Sequence, residues 1–231
     1  MGKCVLIGGY TKQNKESLKA SVVDEKIVQL AEKEKPIFLF IGLANSYSDS
    51  KYDKMKKIYQ KLNCVTTYLK KSNLIHNPKI VKEKIEQADI IYIGGGDYVK
   101  LFKHIHEFDL EQLLKEAYER GKVLVGLSAG AILLAKEGFS DSSILRGESE
   151  DYQFVKGLGF VNQIICPHYH EDKRRVEQLK ECIKNTQKVV SGIENDAALV
   201  IVNDQIDVIS FNGAKVFRIN CDKTYNESEI K

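Results

Sequence analysis

A serine in a glycine-flanked turn is the first candidate for chemistry in this sequence. Residues 126–130 read GLSAG, with Ser128 at the centre. The apolar run 123–127 before it predicts a buried strand, and residues 129–135 after it have helix propensity. Such a turn exposes the serine oxygen, while the helix N-terminus favours a developing negative charge. The pattern predicts a nucleophile elbow, with a packing turn of small residues as the alternative.

A second glycine turn could complete an acyl-transfer site. Residues 94–96 are three glycines that follow the apolar run 90–93 and precede Asp97. Complete GxGxxG and P-loop motifs are absent, which disfavours a phosphate cradle. Glycine lets the backbone approach a bound group closely, so Gly95 and Gly96 are predicted to supply an oxyanion donor opposite Ser128. A plain glycine turn is the alternative.

A serine nucleophile also needs a base within hydrogen-bonding distance. Of the five histidines, His168 and His170 follow the apolar run 163–166. They would lie at the carboxyl end of a strand, where open α/β sheets bind ligands. Spacing alone leaves both histidines open as the base. With Glu171 or Asp172, the same pair could instead bind a metal.

The position of the histidines constrains the third partner. None lies after residue 170, whereas an α/β-hydrolase has its histidine last, after the serine and the acid. The predicted order here is serine, histidine, acid. The turn at 192–196 reads GIEND, and a carboxylate in it, with Glu194 the first choice, could orient and stabilise the imidazole. Asp141 is the alternative acid.

The elements that must position these residues form an alternating pattern. Apolar runs at 5–7, 37–41, 90–93 and 123–127 alternate with amphipathic segments along a chain of 231 residues. This predicts an α/β fold, a doubly wound and mostly parallel sheet with helices on both faces. The expected helices cover about 17–33, 50–62, 78–87, 97–105, 109–120 and 171–185.

The C-terminal third has a different texture. Residues 138–160 are rich in Ser, Asp and Gly and are expected to be loop. A hairpin over 197–202 and 205–210 and a strand at 215–219 predict an antiparallel edge on the same domain. We expect one domain over 1–221, followed by a frayed polar tail at 222–231.

Composition narrows the possible partners. The net charge is only +3, and lysines are interspersed with glutamates, so no nucleic-acid partner is predicted. The lysine-rich run 51–61 is interpreted as the exposed face of a helix. Five cysteines without a CxxC motif argue against a disulfide framework or zinc site. No apolar stretch approaches a membrane span or signal peptide. The expectation is a cytoplasmic protein without cofactor, metal or membrane partner.

Four motifs taken together resemble one family. They are IGGGD at 93–97, GLSAGA at 126–131, GLGF at 157–160 and PHY at 167–169. In this order they are similar to peptidase family S51, which includes the aspartyl dipeptidases called peptidase E and the cyanophycinases. The resemblance covers about residues 3–210. It implies a flavodoxin-like fold similar to class I glutamine amidotransferases, with serine replacing the elbow cysteine.

The resemblance also implies roles for individual residues. Ser128 would be the nucleophile and His168, rather than His170, the base. The backbone N–H groups of Gly96 and Ala129 would bind the oxyanion. The family acid falls in the turn that ends at Asp196, on Glu194 or on Asn195, and Asn195 would depart from the family pattern.

The implied function is a serine peptidase that cleaves small peptides through an acyl-enzyme. A peptidase E-like dipeptidase would prefer an acidic first residue, for which Arg146, Arg174 and Arg175 are candidate cations. The protein would act as a monomer or homodimer. The alternatives are an amidase or glutaminase-like hydrolase on the same fold, and a catalytically silent module that binds a metabolite.

Overall fold

The computed structural model describes residues 2–45, 48–184, 186–222 and 224–230. The strands are β1 (Lys3–Ile7), β2 (Ile37–Ile41), β3 (Val65–Leu69), β4 (Ile90–Ile93), β5 (Val123–Leu127), β6 (Ala135–Ser140), β7 (Gln153–Lys156), β8 (Val161–Pro167), β9 (Val190–Ile193), β10 (Ala197–Val202), β11 (Gln205–Ser210), β12 (Val216–Cys221) and β13 (Tyr225–Ile230). The helices are α1 (Lys12–Glu16), α2 (Val22–Leu30), α3 (Ser48–Lys61), α4 (Lys71–His76), α5 (Pro78–Gln87), α6 (Tyr98–Glu107), α7 (Leu110–Glu119), α8 (Ala129–Leu134), α9 (Ser142–Leu145) and α10 (Lys173–Ile183).

A seven-stranded sheet forms the centre of the molecule, in the order β11-β10-β1-β5-β4-β2-β3. The five strands from β1 to β3 in this order are parallel, and the β10–β11 hairpin adds an antiparallel edge. Alternate residues of β1 enter two different cores. Cys4 and Leu6 pack on the side of α5 to α8, while Val5 and Ile7 pack on the side of α2 and α3. These features confirm the predicted α/β fold with a mostly parallel sheet covered on both faces.

A second sheet of six strands, in the order β13-β12-β9-β8-β6-β7, was not predicted. The segment expected to be loop, residues 138–160, contains the second half of β6 and all of β7, which pair with each other antiparallel. β8 pairs in parallel with both β6 and β9. β7 is short and half-exposed, so its residues lack the continuous apolar character that identifies a buried strand.

The C-terminal expectation also needs correction. β12 belongs to the second sheet and not to the edge of the first. The tail expected to be frayed forms β13, which pairs antiparallel with β12 along its whole length. β13 is an edge strand with mostly exposed polar side chains, which explains why the sequence reads as a tail. The single-domain interpretation of residues 1–221 stays a prediction.

Most helices lie where expected, but the first was placed too early. The helix expected from residue 17 is α2, which begins at Val22, and a separate short helix, α1, precedes it. Ser21 caps the start of α2. Its side-chain oxygen accepts from the backbone N–H of Asp24, and the Asp24 carboxylate accepts from Ser21 N at 2.9 Å. This capping box satisfies the first turn of α2. Within the described segments, no helix combines the length and apolar character needed to cross a membrane.

Candidate active site

The turn between β5 and α8 holds Ser128 in a strained conformation. Its φ of 52° and ψ of −109° are unusual for a residue with a side chain. The Ser128 N–H donates to Ile7 O at 2.9 Å, which ties the turn to β1. A Cβ on Gly126 would lie 2.3 Å from Gly130 O, and one on Gly130 would lie 2.3 Å from Ile93 O. Glycine at both positions therefore lets the helix start directly against the strands.

His168 lies beside Ser128 although it follows a strand of the other sheet. Its Nε2 is 2.8 Å from Ser128 Oγ, within hydrogen-bonding distance. The histidine comes directly after β8 with a φ of 54°, and its backbone N–H donates to Gly8 O at 3.2 Å. The positive φ turns the chain back toward the seven-stranded sheet. The structure thus selects His168, and not His170, as the neighbour of Ser128.

Asn195 holds the other nitrogen of the imidazole. Its Oδ1 lies 2.6 Å from His168 Nδ1. An amide oxygen can only accept, so Nδ1 carries the proton and Nε2 presents its lone pair to Ser128. Gly9 packs against both residues of this contact, because a Cβ there would lie 2.0 Å from Asn195 Oδ1 and 2.4 Å from His168 Nδ1.

A carboxylate also reaches the same imidazole nitrogen. Glu171 Oε2 lies 3.0 Å from His168 Nδ1 as an ion-pair contact, with half of the glutamate side chain exposed. The Glu171 backbone N–H donates to His168 O at 3.1 Å, which closes a tight turn over residues 168–171. From the sequence alone, Glu171 is expected only as a possible metal ligand. The sequence signal for this contact is the i, i+3 spacing of His168 and Glu171. That spacing brings the two side chains together here because His168 adopts a positive φ.

The prediction that Glu194 orients His168 is wrong. Glu194 Oε1 lies 2.8 Å from His170 Nδ1, and Glu194 Oε2 accepts from the Lys215 N–H at 2.8 Å. Both contacts hold its carboxylate on the side of β12. Neighbouring residues of the turn point in different directions, so Asn195 takes the place predicted for Glu194.

The two other candidate acids are also engaged away from His168. Asp196 is 1% exposed and accepts from Thr11 N at 3.0 Å, Thr11 Oγ1 at 2.8 Å and Asn14 Nδ2 at 2.7 Å. Asp141 pairs with Arg175 Nη2 at 3.2 Å. Asp196 therefore ties the turn to the segment that contains α1, and Asp141 secures a buried arginine.

The three predicted oxyanion residues lie around the serine. A Cβ on Gly95 would be 3.2 Å from Ser128 Cβ, so the glycine turn packs directly against the serine. Gly96 follows with a φ of 148°, which only glycine adopts readily. The Gly95 carbonyl accepts from Asn45 Nδ2 at 2.9 Å and Lys51 Nζ at 3.0 Å, which fixes the following peptide unit. Ala129 is the first residue of α8, where an N–H has no intrahelical acceptor.

A cavity of about 710 Å³ opens beside these groups. Gly95 and Leu127 line it next to Ser128, and Phe40 and Tyr92 are among its aromatic residues. Its cationic lining residues are Lys19, Lys51 and Lys54. The last two belong to the run interpreted as a solvent-exposed face, and their i, i+3 spacing on α3 brings both to the cavity.

The arginines predicted to bind an acidic substrate are placed elsewhere. Arg146 pairs with Asp97 at 3.2 Å and with Glu148, and Arg174 is 3.9 Å from Asp172. Arg175 is 5% exposed and donates to Pro167 O and Asp141. None of the three lines the cavity, as far as the chain is described.

The alternative metal site finds no support in the geometry. His170 Nε2 lies 3.3 Å from Glu227, away from His168. Among the residues that the structure describes, no group of three or more His, Cys, Asp or Glu side chains could hold a metal ion.

A strained serine after a buried strand, with a histidine on its oxygen, is the arrangement found in serine hydrolases. The chain matches the model of peptidase family S51 over residues 4–209 and belongs to this family. It is therefore a serine-type peptidase, as the four motifs predicted.

Individual relatives agree with this family. The uncharacterized peptidase YgaJ of Bacillus subtilis is 32% identical over 202 residues, which cover 85% of this chain and 84% of the relative. Peptidase E of Actinobacillus pleuropneumoniae is 30% identical over 146 residues, and this match spans only 60% of that protein. The crystal structure of a peptidase from an acI-B1 Actinobacterium covers 100% of this chain, and the chain covers 97% of it, with a TM-score of 0.71 and 23% identity. At that identity the structure supports the fold alone.

Proposed function

We propose that this peptidase cleaves small peptides through an acyl-enzyme on Ser128, with His168 as general base. The observation that carries the proposal is the continuous line of contacts from Asn195 Oδ1 to His168 at 2.6 Å and from His168 to Ser128 Oγ at 2.8 Å. Such a line orients an imidazole so that it can accept the serine proton. Asn195 takes the orienting position, as the asparagine does in papain-like proteases.

The proposed reaction has two halves. His168 Nε2 accepts the Ser128 proton as Oγ attacks the peptide carbonyl carbon, and the N–H groups of Gly96 and Ala129 bind the oxyanion. His168 then gives that proton to the amine nitrogen as the C–N bond breaks, leaving an ester on Ser128. Water attacks the ester, its proton passes through His168 to Ser128 Oγ, and the carboxylic acid is released.

The cavity beside Ser128 supports a small substrate with an acidic group. Its volume of about 710 Å³ lies within the usual range for small-molecule sites. Lys51 and Lys54 contribute positive charge, and Lys51 already contacts Gly95 at the predicted oxyanion site. We therefore propose a peptidase E-like dipeptidase or small-peptide hydrolase in which these lysines replace the predicted arginines.

A fluorophosphonate serine probe tests the nucleophile. We expect the parent protein to be labelled, and Ser128→Ala and His168→Ala to lose labelling. Ser143→Ala removes a partly exposed serine whose hydroxyl donates to Asp151 O at 3.0 Å, and serves as the matched control that keeps labelling. A parent protein that resists the probe, or labelling that persists in Ser128→Ala, would contradict the proposal.

Dipeptide kinetics test the cationic side of the cavity. We expect Lys54→Met to raise KM for Asp-X and Glu-X dipeptides about five- to tenfold and to leave Ala-X dipeptides unchanged, because a tenfold change corresponds to one modest charge interaction. Lys57→Met, on the exposed face of the same helix, is the matched control. Equal effects on acidic and neutral dipeptides would contradict the role of Lys54.

A further inference from the structure

We propose that Glu171 supplies the negative charge that Asn195 cannot provide, so that two residues share the work of a triad acid. The inference rests on the proposed acyl-enzyme function and concerns how His168 is tuned within it. Glu171 acts through the imidazole and not on the substrate, which makes it a positioning residue.

A triad acid performs two separable tasks. It fixes the tautomer and orientation of the histidine, and its charge stabilises the imidazolium that forms when the serine proton is taken. Asn195 performs the first task, because its amide oxygen accepts from Nδ1 at 2.6 Å. A neutral amide contributes no net charge to the second. A site with Asn195 alone would therefore leave the imidazolium without a counter-charge.

Glu171 brings a carboxylate to the atom where that charge is needed. Its Oε2 lies 3.0 Å from His168 Nδ1, the nitrogen that also contacts Asn195. The backbone makes this approach possible, since His168 and His170 have φ values of 54° and 62° and Glu171 N donates to His168 O. The turn folds the glutamate back over the ring. One four-residue turn thus carries both the base and its counter-charge.

The other charged groups around this turn have partners away from Nδ1. They include Glu194 and Glu227 with His170, Asp141 with Arg175, Asp172 with Tyr152 and Arg174, and Asp196 with Thr11 and Asn14. Arg175 Nη1 donates to the carbonyl oxygen of Pro167, the residue before His168, at 3.0 Å. Within the described residues, Glu171 is thus the carboxylate that contacts the His168 imidazole.

The exposure of Glu171 limits the size of its effect. Half of its side chain is open to water, which screens the attraction to the imidazolium. We expect a contribution of about tenfold in rate, well below the loss caused by removing the nucleophile. Raising the salt concentration should reduce it further.

The decisive variant is Glu171→Gln, which keeps the shape and removes the charge. Labelling by a fluorophosphonate probe is followed as a second-order rate constant across pH. We expect the rate on the plateau to fall about tenfold and the acid limb of the profile to move to lower pH, because an imidazole without a nearby anion loses its proton more readily. Glu177→Gln makes the same charge change on an exposed position of α10 and is expected to match the parent protein.

A rescue variant separates charge from shape. Asn195→Asp in the Glu171→Gln background places a carboxylate directly on Nδ1. We expect this double variant to recover most of the lost rate and to return the acid limb toward its original pH. A structural role of Glu171 would not predict such recovery.

Each outcome bears on one proposal. Glu171→Gln with the parent rate and an unmoved acid limb would overturn the role of Glu171 while labelling at Ser128 still supported the hydrolase. A slower Glu171→Gln whose acid limb stays in place and which Asn195→Asp does not rescue would overturn it as well. A parent protein that is not labelled at Ser128 would overturn the acyl-enzyme proposal and this inference with it.

Discussion

The serine and the histidine of this site stand on two different sheets and are held by different means. Ser128 follows β5, a strand of the seven-stranded sheet that is paired on both sides, and the glycines around it let backbone pack on backbone. His168 follows β8 of the six-stranded sheet, and its imidazole is held by side-chain contacts with Asn195 and Glu171 in addition to the backbone hydrogen bonds of its turn. The serine is therefore positioned by close backbone packing, whereas the imidazole also depends on contacts between side chains.

The turn after β1, at Gly8 and Gly9, is the joint between these two regions. Gly8 O accepts from His168 N at 3.2 Å, and Gly9 O accepts from Asp196 N at 2.9 Å. Both acceptors belong to the strand end that neighbours β5. Substitutions on the serine side should therefore affect folding and activity together, whereas substitutions at the joint or on the histidine side should affect activity with little loss of stability.

The largest effect is expected on the serine side, from Gly126→Ala. The new Cβ would lie 2.3 to 2.5 Å from backbone atoms of Gly130 and Ala131, which cannot move without displacing α8. We expect a loss of about 3 kcal/mol in the free energy of unfolding, measured by urea denaturation, and loss of probe labelling. A variant with parent stability would break the distinction between the two regions.

The next effect is expected at the joint, from Gly9→Ala. Its Cβ would displace both Asn195 and the His168 ring, so the labelling rate should fall by on the order of 10²–10³-fold. Stability should change by less than about 1 kcal/mol, because side chains and not the sheet backbone must move.

Gly159→Ala is the control for that experiment. Nothing lies within 4 Å of a Cβ there, although its φ of 71° adds a backbone cost of about 1 kcal/mol. It should be less stable and fully reactive, the reverse of Gly9→Ala. Equal loss of reactivity in both glycine variants would contradict the role of the joint.

A smaller effect separates the two neighbours in the acidic turn. Asn195→Ala should slow labelling by on the order of 10²-fold, because the imidazole loses its orienting acceptor while Glu171 remains. Glu194→Gln should change the rate less than about threefold, since its carboxylate contacts His170 and Lys215 instead. Rates are compared at one pH, after circular dichroism shows that both variants are folded. The opposite ranking would return the acid to Glu194.

Local sequence signals were sufficient for the serine side. β1, β2, β4 and β5 are continuous apolar runs because both faces of the sheet are covered. The glycines and the strand before Ser128 also define its turn within a few residues. The strands β6, β7 and β13 do not show in the sequence: β7 is short, β13 is mostly exposed, and β6, although mostly buried, reads AKEGFS and lacks an apolar run.

The histidine side depends on information that spacing does not contain. Glu194 and Asn195 are adjacent, and the Glu194 carboxylate is held away from His168 by His170 and by the backbone N–H of Lys215, directly before β12. Asp196 was one more carboxylate in an acidic turn, although its partner Thr11 lies 185 positions away in the chain. The family resemblance predicts His168 as the base and leaves the choice of its partner between Glu194 and Asn195 open.

Asp196 links the wall of the cavity to the turn beside His168. Its buried carboxylate connects the turn that carries Asn195 to Thr11 and Asn14, and Asn14 also lines the cavity. A displacement of Asn14 at the cavity wall would therefore act, through the Asp196 carboxylate, on the turn that holds Asn195 against His168.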